Sequence, residues 1–122
     1  MDIRILMFED STNKVESLEE YLVLRFKHEL NCNLTLQHRA DESMMETDLM
    51  MQQYHLILID DDLGNDLWGN IVIDTIMSIA DTTPEILNVP KIYYSAGTPV
   101  NELKEKSAKF GGIRCSTFDD LS

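Results

Sequence analysis

Three short stretches of this chain carry residue types suited to chemistry, and each closes an apolar run. Phe8-Glu9-Asp10-Ser11 follows Ile3-Arg4-Ile5-Leu6-Met7, Asp60-Asp61-Asp62 follows Leu56-Ile57-Leu58-Ile59, and Ser95-Ala96-Gly97 follows Lys91-Ile92-Tyr93-Tyr94. An unbroken aliphatic run of strand length fits a strand buried on both faces, as at the centre of a parallel sheet. The carboxyl ends of such strands open into the crevice where ligands bind. If the first and third strands are neighbours, Glu9, Asp10 and Asp60 converge at one edge. Carboxylates about 4 Å apart repel by roughly 4 kcal/mol per pair at an effective dielectric of about 20. Such a cluster calls for a hard divalent cation, Mg²⁺ or in its place Mn²⁺.

The elements that would position these residues alternate regularly. Strands are expected at Asp2–Phe8, Leu34–His38, Leu56–Ile59, Lys91–Tyr94 and Ile113–Ser116. Helix one starts near Asn13, a cap with Glu16 three residues on, and its inward stripe is Val15, Leu18, Leu22, Phe26 and Leu30. A Met-rich helix spans Asp41–Gln53, its methionines read as adaptable core filling. A third helix covers Asn70–Ala80 with Trp68, Val72, Ile76 and Ile79 facing in, and Pro84 and Pro90 keep Asp81–Pro90 irregular. Thr98 caps a fourth helix with Pro99 at its first position, and Glu102–Lys106 and Glu105–Lys109 form outward pairs. This βα alternation predicts one α/β domain over residues 1–122, a doubly wound five-stranded parallel sheet in the order 2-1-3-4-5. The sequence stops at Ser122, where a fifth helix would begin. Part of the sheet beside strands three to five is therefore expected to expose apolar side chains, or else to be filled by a shift of helix one, and strand five to be an edge. A second copy or an output partner would cover that face.

Composition narrows the function classes. Lys and Arg number 10 against 22 Asp and Glu, a net charge of −12 that argues against a nucleic-acid surface or an anionic membrane. Cys32 and Cys115 have neither zinc-like spacing nor the number for a disulfide scaffold, which fits a reducing cytoplasm. No apolar run is long enough for a membrane span, and the N-terminus lacks signal-peptide features. His28, His38 and His55 share no metal spacing and read as surface or boundary residues.

The strand-end acidic pair, strand-end Asp and strand-end Ser, in that order, resemble the receiver domain of two-component response regulators over essentially the whole chain. The resemblance implies a flavodoxin-like fold and a site that holds Mg²⁺. It implies Asp10 as a direct ligand, Glu9 as a ligand through water, and Asp60 as ligand and acceptor of a phosphoryl group from a histidine kinase or phosphotransfer protein. Asp62 would supply a backbone carbonyl to the metal, and Ser95 would be the switch hydroxyl that bonds the phosphoryl oxygen. Gly69 matches the glycine opening the family's third helix.

Departures from the family pattern concern the switch. The family's strand-five Lys is absent from Ile113-Arg114-Cys115-Ser116-Thr117-Phe118, where Ser116 or Thr117 takes its place and Arg114 points elsewhere. Ile113 is the nearest residue to the family's switch aromatic, and Gly64 replaces its Pro. These departures keep a second reading open, a pseudo-receiver that docks partners without phosphorylation. A haloacid-dehalogenase-like phosphatase would use Asp60-x-Asp62, Ser95 and Asp119-Asp120, but leaves Glu9-Asp10 unexplained. A topoisomerase-primase-type metal domain would use Glu9, Asp60 and Asp62, against the acidic balance. Asp61 is read as a solvated loop acid.

Overall fold

The three apolar runs and two mixed segments, Asn33–Arg39 and Ile113–Thr117, become the five strands of one parallel sheet. In the computed structural model, which describes residues 1–121, these are β1 (Asp2–Phe8), β2 (Asn33–Arg39), β3 (Leu56–Asp60), β4 (Lys91–Ser95) and β5 (Ile113–Thr117). Their order is β2-β1-β3-β4-β5, so the chain winds first one way and then the other from β1. Ser122 lies outside the described residues. The register pairs Phe8 with Ile59, Asp60 with Tyr94 and Ser95 with Thr117. The ends of β1, β3, β4 and β5 therefore finish level, and the residues that follow them share one edge.

Four helices cover the sheet: α1 (Thr12–Leu30), α2 (Met45–Met51), α3 (Gly69–Ala80) and α4 (Val100–Lys106). One face packs Leu6, Phe8, Ile57, Ile59 and Tyr93 against Met45 and Leu49 of α2, Val72, Ile73 and Ile76 of α3, and Leu103 of α4. The other face packs Ile5, Met7, Leu58 and Tyr94 against Val15 and Leu18 of α1. The methionine reading holds for Met45, which is fully buried, whereas Met50 and Met51 are exposed.

Several local expectations are corrected. Ser11 rather than Asn13 caps α1: its extended backbone ends the strand and its Oγ accepts the Lys14 N–H at 3.4 Å. Leu30, assigned to the inward stripe, is exposed, and the buried contribution of α1 comes from Val15 and Leu18 in its first half. Helix α2 is shorter than expected because Asp41 accepts the Ser43 N–H at 2.9 Å, a turn that precedes the helix rather than joins it. Residues Pro84–Asn88 form a 3-10 turn with Pro84 in its first turn. Pro99 is the cap of α4 and not its first residue. Trp68 is exposed instead of core, because it precedes α3 in extended conformation and so lies off the helix's buried stripe.

The face beyond α1 is partly covered. Phe118 and Leu121 pack toward it, Leu58 is buried, and Leu56 and Ile92 remain half-buried. Between Leu56, Leu58, Ile92, Arg114 and Leu121 runs a groove of about 320 Å³.

Candidate functional site

β1 and β3 are adjacent and parallel, so the acids that follow or end them face the same edge. Glu9 and Asp60 are buried at 0% and 3% exposure, while Asp10 is exposed. One carboxylate oxygen from each of the three lies within 4.8 Å of the others. Glu9 is fixed by four contacts: its N–H donates to the Arg39 carbonyl at 3.0 Å, its carbonyl meets His38 Nε2, its Oε2 accepts the Ser11 N–H at 3.0 Å, and its Oε1 accepts the Tyr94 hydroxyl at 3.1 Å. The expected convergence of Glu9, Asp10 and Asp60 is thus the arrangement of the structure.

Electrostatics follow from the burial. Desolvation, then the charge and hydrogen bonding of Glu9, push the Asp60 carboxyl up to about 8, with the Lys14 charge pulling the other way. Desolvation also raises Glu9. Two carboxylates buried together are not both ionised without a compensating cation. The available donors are oxygens only, a set that suits Mg²⁺ better than a softer metal.

The rest of the edge completes the cradle. Ser95 is buried at the end of β4, and its Oγ accepts the N–H groups of Gly97 at 3.1 Å and Thr98 at 2.8 Å. With its lone pairs engaged, its own hydrogen is left to donate. The Asp62 carboxylate is exposed and turns back to accept the Gly64 N–H at 2.9 Å, so only its backbone carbonyl is a candidate donor to the metal. Gly64 has φ of +77°, a conformation closed to proline, which explains the departure at this position. A Cβ there would also sit 3.1 Å from an Asp10 oxygen. At Gly69 a Cβ would lie 2.3 Å from the Asp60 carbonyl, so the start of α3 can approach the end of β3 only as glycine.

Asp61 is not a solvated loop acid. It is fully buried, and its side chain accepts from the Tyr93 hydroxyl, from Thr98 Oγ1 at 2.9 Å and from Lys106 Nζ at 3.1 and 3.2 Å. Asp60 and Asp61 point to opposite sides as neighbours on an extended segment must, and Asp61 lands under α4. Lys106 therefore leaves the expected outward pair with Glu102; its ammonium also lies 4.8 Å from the centre of the Trp68 ring. The hint of this in the sequence was a second acid directly after the one that ends a buried run.

Thr117 is the residue across from Ser95, where the register would bring the strand-five cation. Its hydroxyl accepts the Asp120 N–H at 3.2 Å, Ser116 donates to the Thr117 carbonyl, and Arg114 is exposed.

Solved structures share this fold. The Vibrio cholerae chemotaxis protein CheY4 superposes with a TM-score of 0.68 at 12% identity, over 96% of this chain and 87% of its own. This is the receiver-domain fold. The receiver domain of a Pseudomonas fluorescens HD-domain protein matches at 0.69 and 17% identity, over 99% and 89% of the two chains. The Arabidopsis thaliana CKI1 receiver domain, solved with Mg²⁺ and BeF₃⁻, matches at 0.70 and 13%, over 96% and 81%. No protein-family model and no curated protein matches the sequence. Among the described residues, no helix is long and apolar enough to cross a membrane.

Proposed function

We propose that the chain is a receiver-type signalling domain that binds Mg²⁺ at Glu9, Asp10 and Asp60 and accepts a phosphoryl group on Asp60. The observation that carries this reading is the convergence of three carboxylates around a buried Asp at the end of a central strand. Asp10 and Asp60 would hold the metal directly, Glu9 through water, and Asp62 through its backbone carbonyl. Mg²⁺ supplies neutralisation of charge on the phosphoryl oxygens, the main requirement of phosphoryl transfer. An Asp60 oxygen is the nucleophile, and Ser95 donates its free hydrogen to a phosphoryl oxygen. The chain acts as a phosphoacceptor rather than as an enzyme. A histidine kinase or phosphotransfer protein in the cytoplasm supplies the phosphoryl group, and the output is altered binding of a partner protein or of a second copy.

Thr117 in the position of the strand-five cation favours one other reading, a docking module that works without phosphorylation. Incubation with Mg²⁺ and acetyl phosphate, followed by intact mass, separates them. A gain of one phosphoryl group, abolished in Asp60→Asn, supports the receiver. An unmodified wild type supports the docking module, and continuous release of phosphate from an aryl phosphate would point to a phosphatase.

A further inference from the structure

We infer that Lys14, on the first turn of α1, supplies the cation for the phosphoryl group on Asp60 that β5 does not supply. The inference rests on Asp60 being the phosphoacceptor. Among the described residues the other cations near this edge are committed: Lys106 to Asp61, and Arg39 to Asp48 at 2.8 Å. Lys91 is buried and donates to the carbonyls of Ile86 and Val89, residues before β4 at the far end of the sheet. Lys14 is different. It is half-buried, makes no ion pair among the described residues, and keeps all three ammonium hydrogens available.

Its position follows from contacts on the α1 side of the site. The Lys14 ammonium lies 5.6 Å from the centre of the Phe118 ring, and that ring is 5.9 Å from Tyr94, whose hydroxyl touches Glu9. Phe118 directly follows Thr117, the residue in the place of the family's lysine. The ring thus holds a lysine from α1 next to the tyrosine whose hydroxyl bonds Glu9. Contact with a ring face is weaker than a charge-assisted hydrogen bond, so the flexible lysine stem is free to exchange Phe118 for a phosphoryl oxygen.

In the transfer from acetyl phosphate, an Asp60 oxygen forms the new bond to phosphorus. The bond from phosphorus to the acetate oxygen breaks, and acetate leaves with the electron pair. Lys14 keeps its proton and donates a hydrogen bond to the transferred group, balancing part of its charge.

The test measures the rate of labelling of the full chain by acetyl phosphate with Mg²⁺, by intact mass, in wild type, Lys14→Ala and Lys14→Arg, with Mg²⁺ affinity measured in each. The expected result is labelling at least about tenfold slower in Lys14→Ala, largely restored in Lys14→Arg, with Mg²⁺ bound at least as tightly in Lys14→Ala because a neighbouring positive charge is gone. Wild type that labels, with Lys14→Ala labelling within about twofold of it, overturns the role of Lys14 and leaves the phosphoacceptor reading standing. Slow labelling accompanied by weakened Mg²⁺ binding also overturns it, since that marks a structural role. Wild type that never labels overturns the phosphoacceptor reading and this inference with it.

Discussion

Glu9 and Asp60 are buried side by side, and their mutual repulsion sets the chemistry of the site. Burial first and Glu9 second hold the Asp60 carboxyl at about 8 in the metal-free protein. A carboxyl whose folded pKa lies above its unfolded value binds its proton more tightly when folded. Its stabilising contribution is complete below about pH 4 and is lost as the pH rises towards the folded value. Without metal, unfolding free energy should therefore fall between those limits by up to about 1.4 kcal/mol per pH unit, and Asp60→Asn should flatten most of the decline. Urea titrations across this range check it; equal slopes in the two proteins would contradict it. Asp10 is the exposed member of the cluster, so Asp10→Asn relieves repulsion without opening a cavity. It should melt at or above wild type without metal and lose most of the rise in melting temperature that millimolar Mg²⁺ gives wild type. An unchanged Mg²⁺ response in Asp10→Asn would remove Asp10 from the site. Asp60 was legible in the sequence because a charge ending a buried run demands a partner. Asp61 was not, because its partner Lys106 lies 45 residues away on a helix whose sequence pattern turned that lysine outward, towards Glu102.

Among elements, the junction of β3 with α3 and α4 decides whether the site is rigid. Gly69→Ala would place a Cβ 2.3 Å from the Asp60 carbonyl and 2.6 Å from the Tyr93 ring. The expected cost is about 1–3 kcal/mol or more, with weakened Mg²⁺ binding as Asp60 is displaced; a variant with wild-type stability and metal affinity would show that α3 can retreat. Lys106→Met removes the cation from the fully buried Asp61, while Lys106 itself is 29% exposed. Breaking a buried pair from one side costs about 3–5 kcal/mol, and this partial exposure places the loss at or below the lower end. Asp61→Asn combined with Lys106→Met should recover part of it, measurable by chemical denaturation. The strands were read to within one residue at each end, most securely β1, β3 and β4, whose apolar runs leave little choice of boundary. The helix starts were read less well, since the Ser11 cap and the Asp41 turn depend on which of several adjacent polar residues the preceding chain presents.

At the scale of the molecule, the order β2-β1-β3-β4-β5 brings residues separated by much of the sequence to one edge: Glu9 and Asp10, Asp60 and Ser95. The alternation of strands and helices made that order legible, and the sheet's two packed faces agree with it. What the sequence could not convey is how closely Phe118 and Leu121 would pack toward the α1 face, because that depends on the path taken after β5. The central claim is that this edge binds Mg²⁺ and that Asp60 is its phosphoryl acceptor. The most direct measurement is a crystal structure grown with Mg²⁺ and beryllium fluoride. The expected structure has BeF₃⁻ on an Asp60 oxygen and Mg²⁺ on Asp10 and Asp60, with Ser95 donating to the bound group. Crystals grown under these conditions with neither species at the edge, or with BeF₃⁻ on another carboxylate, would contradict it.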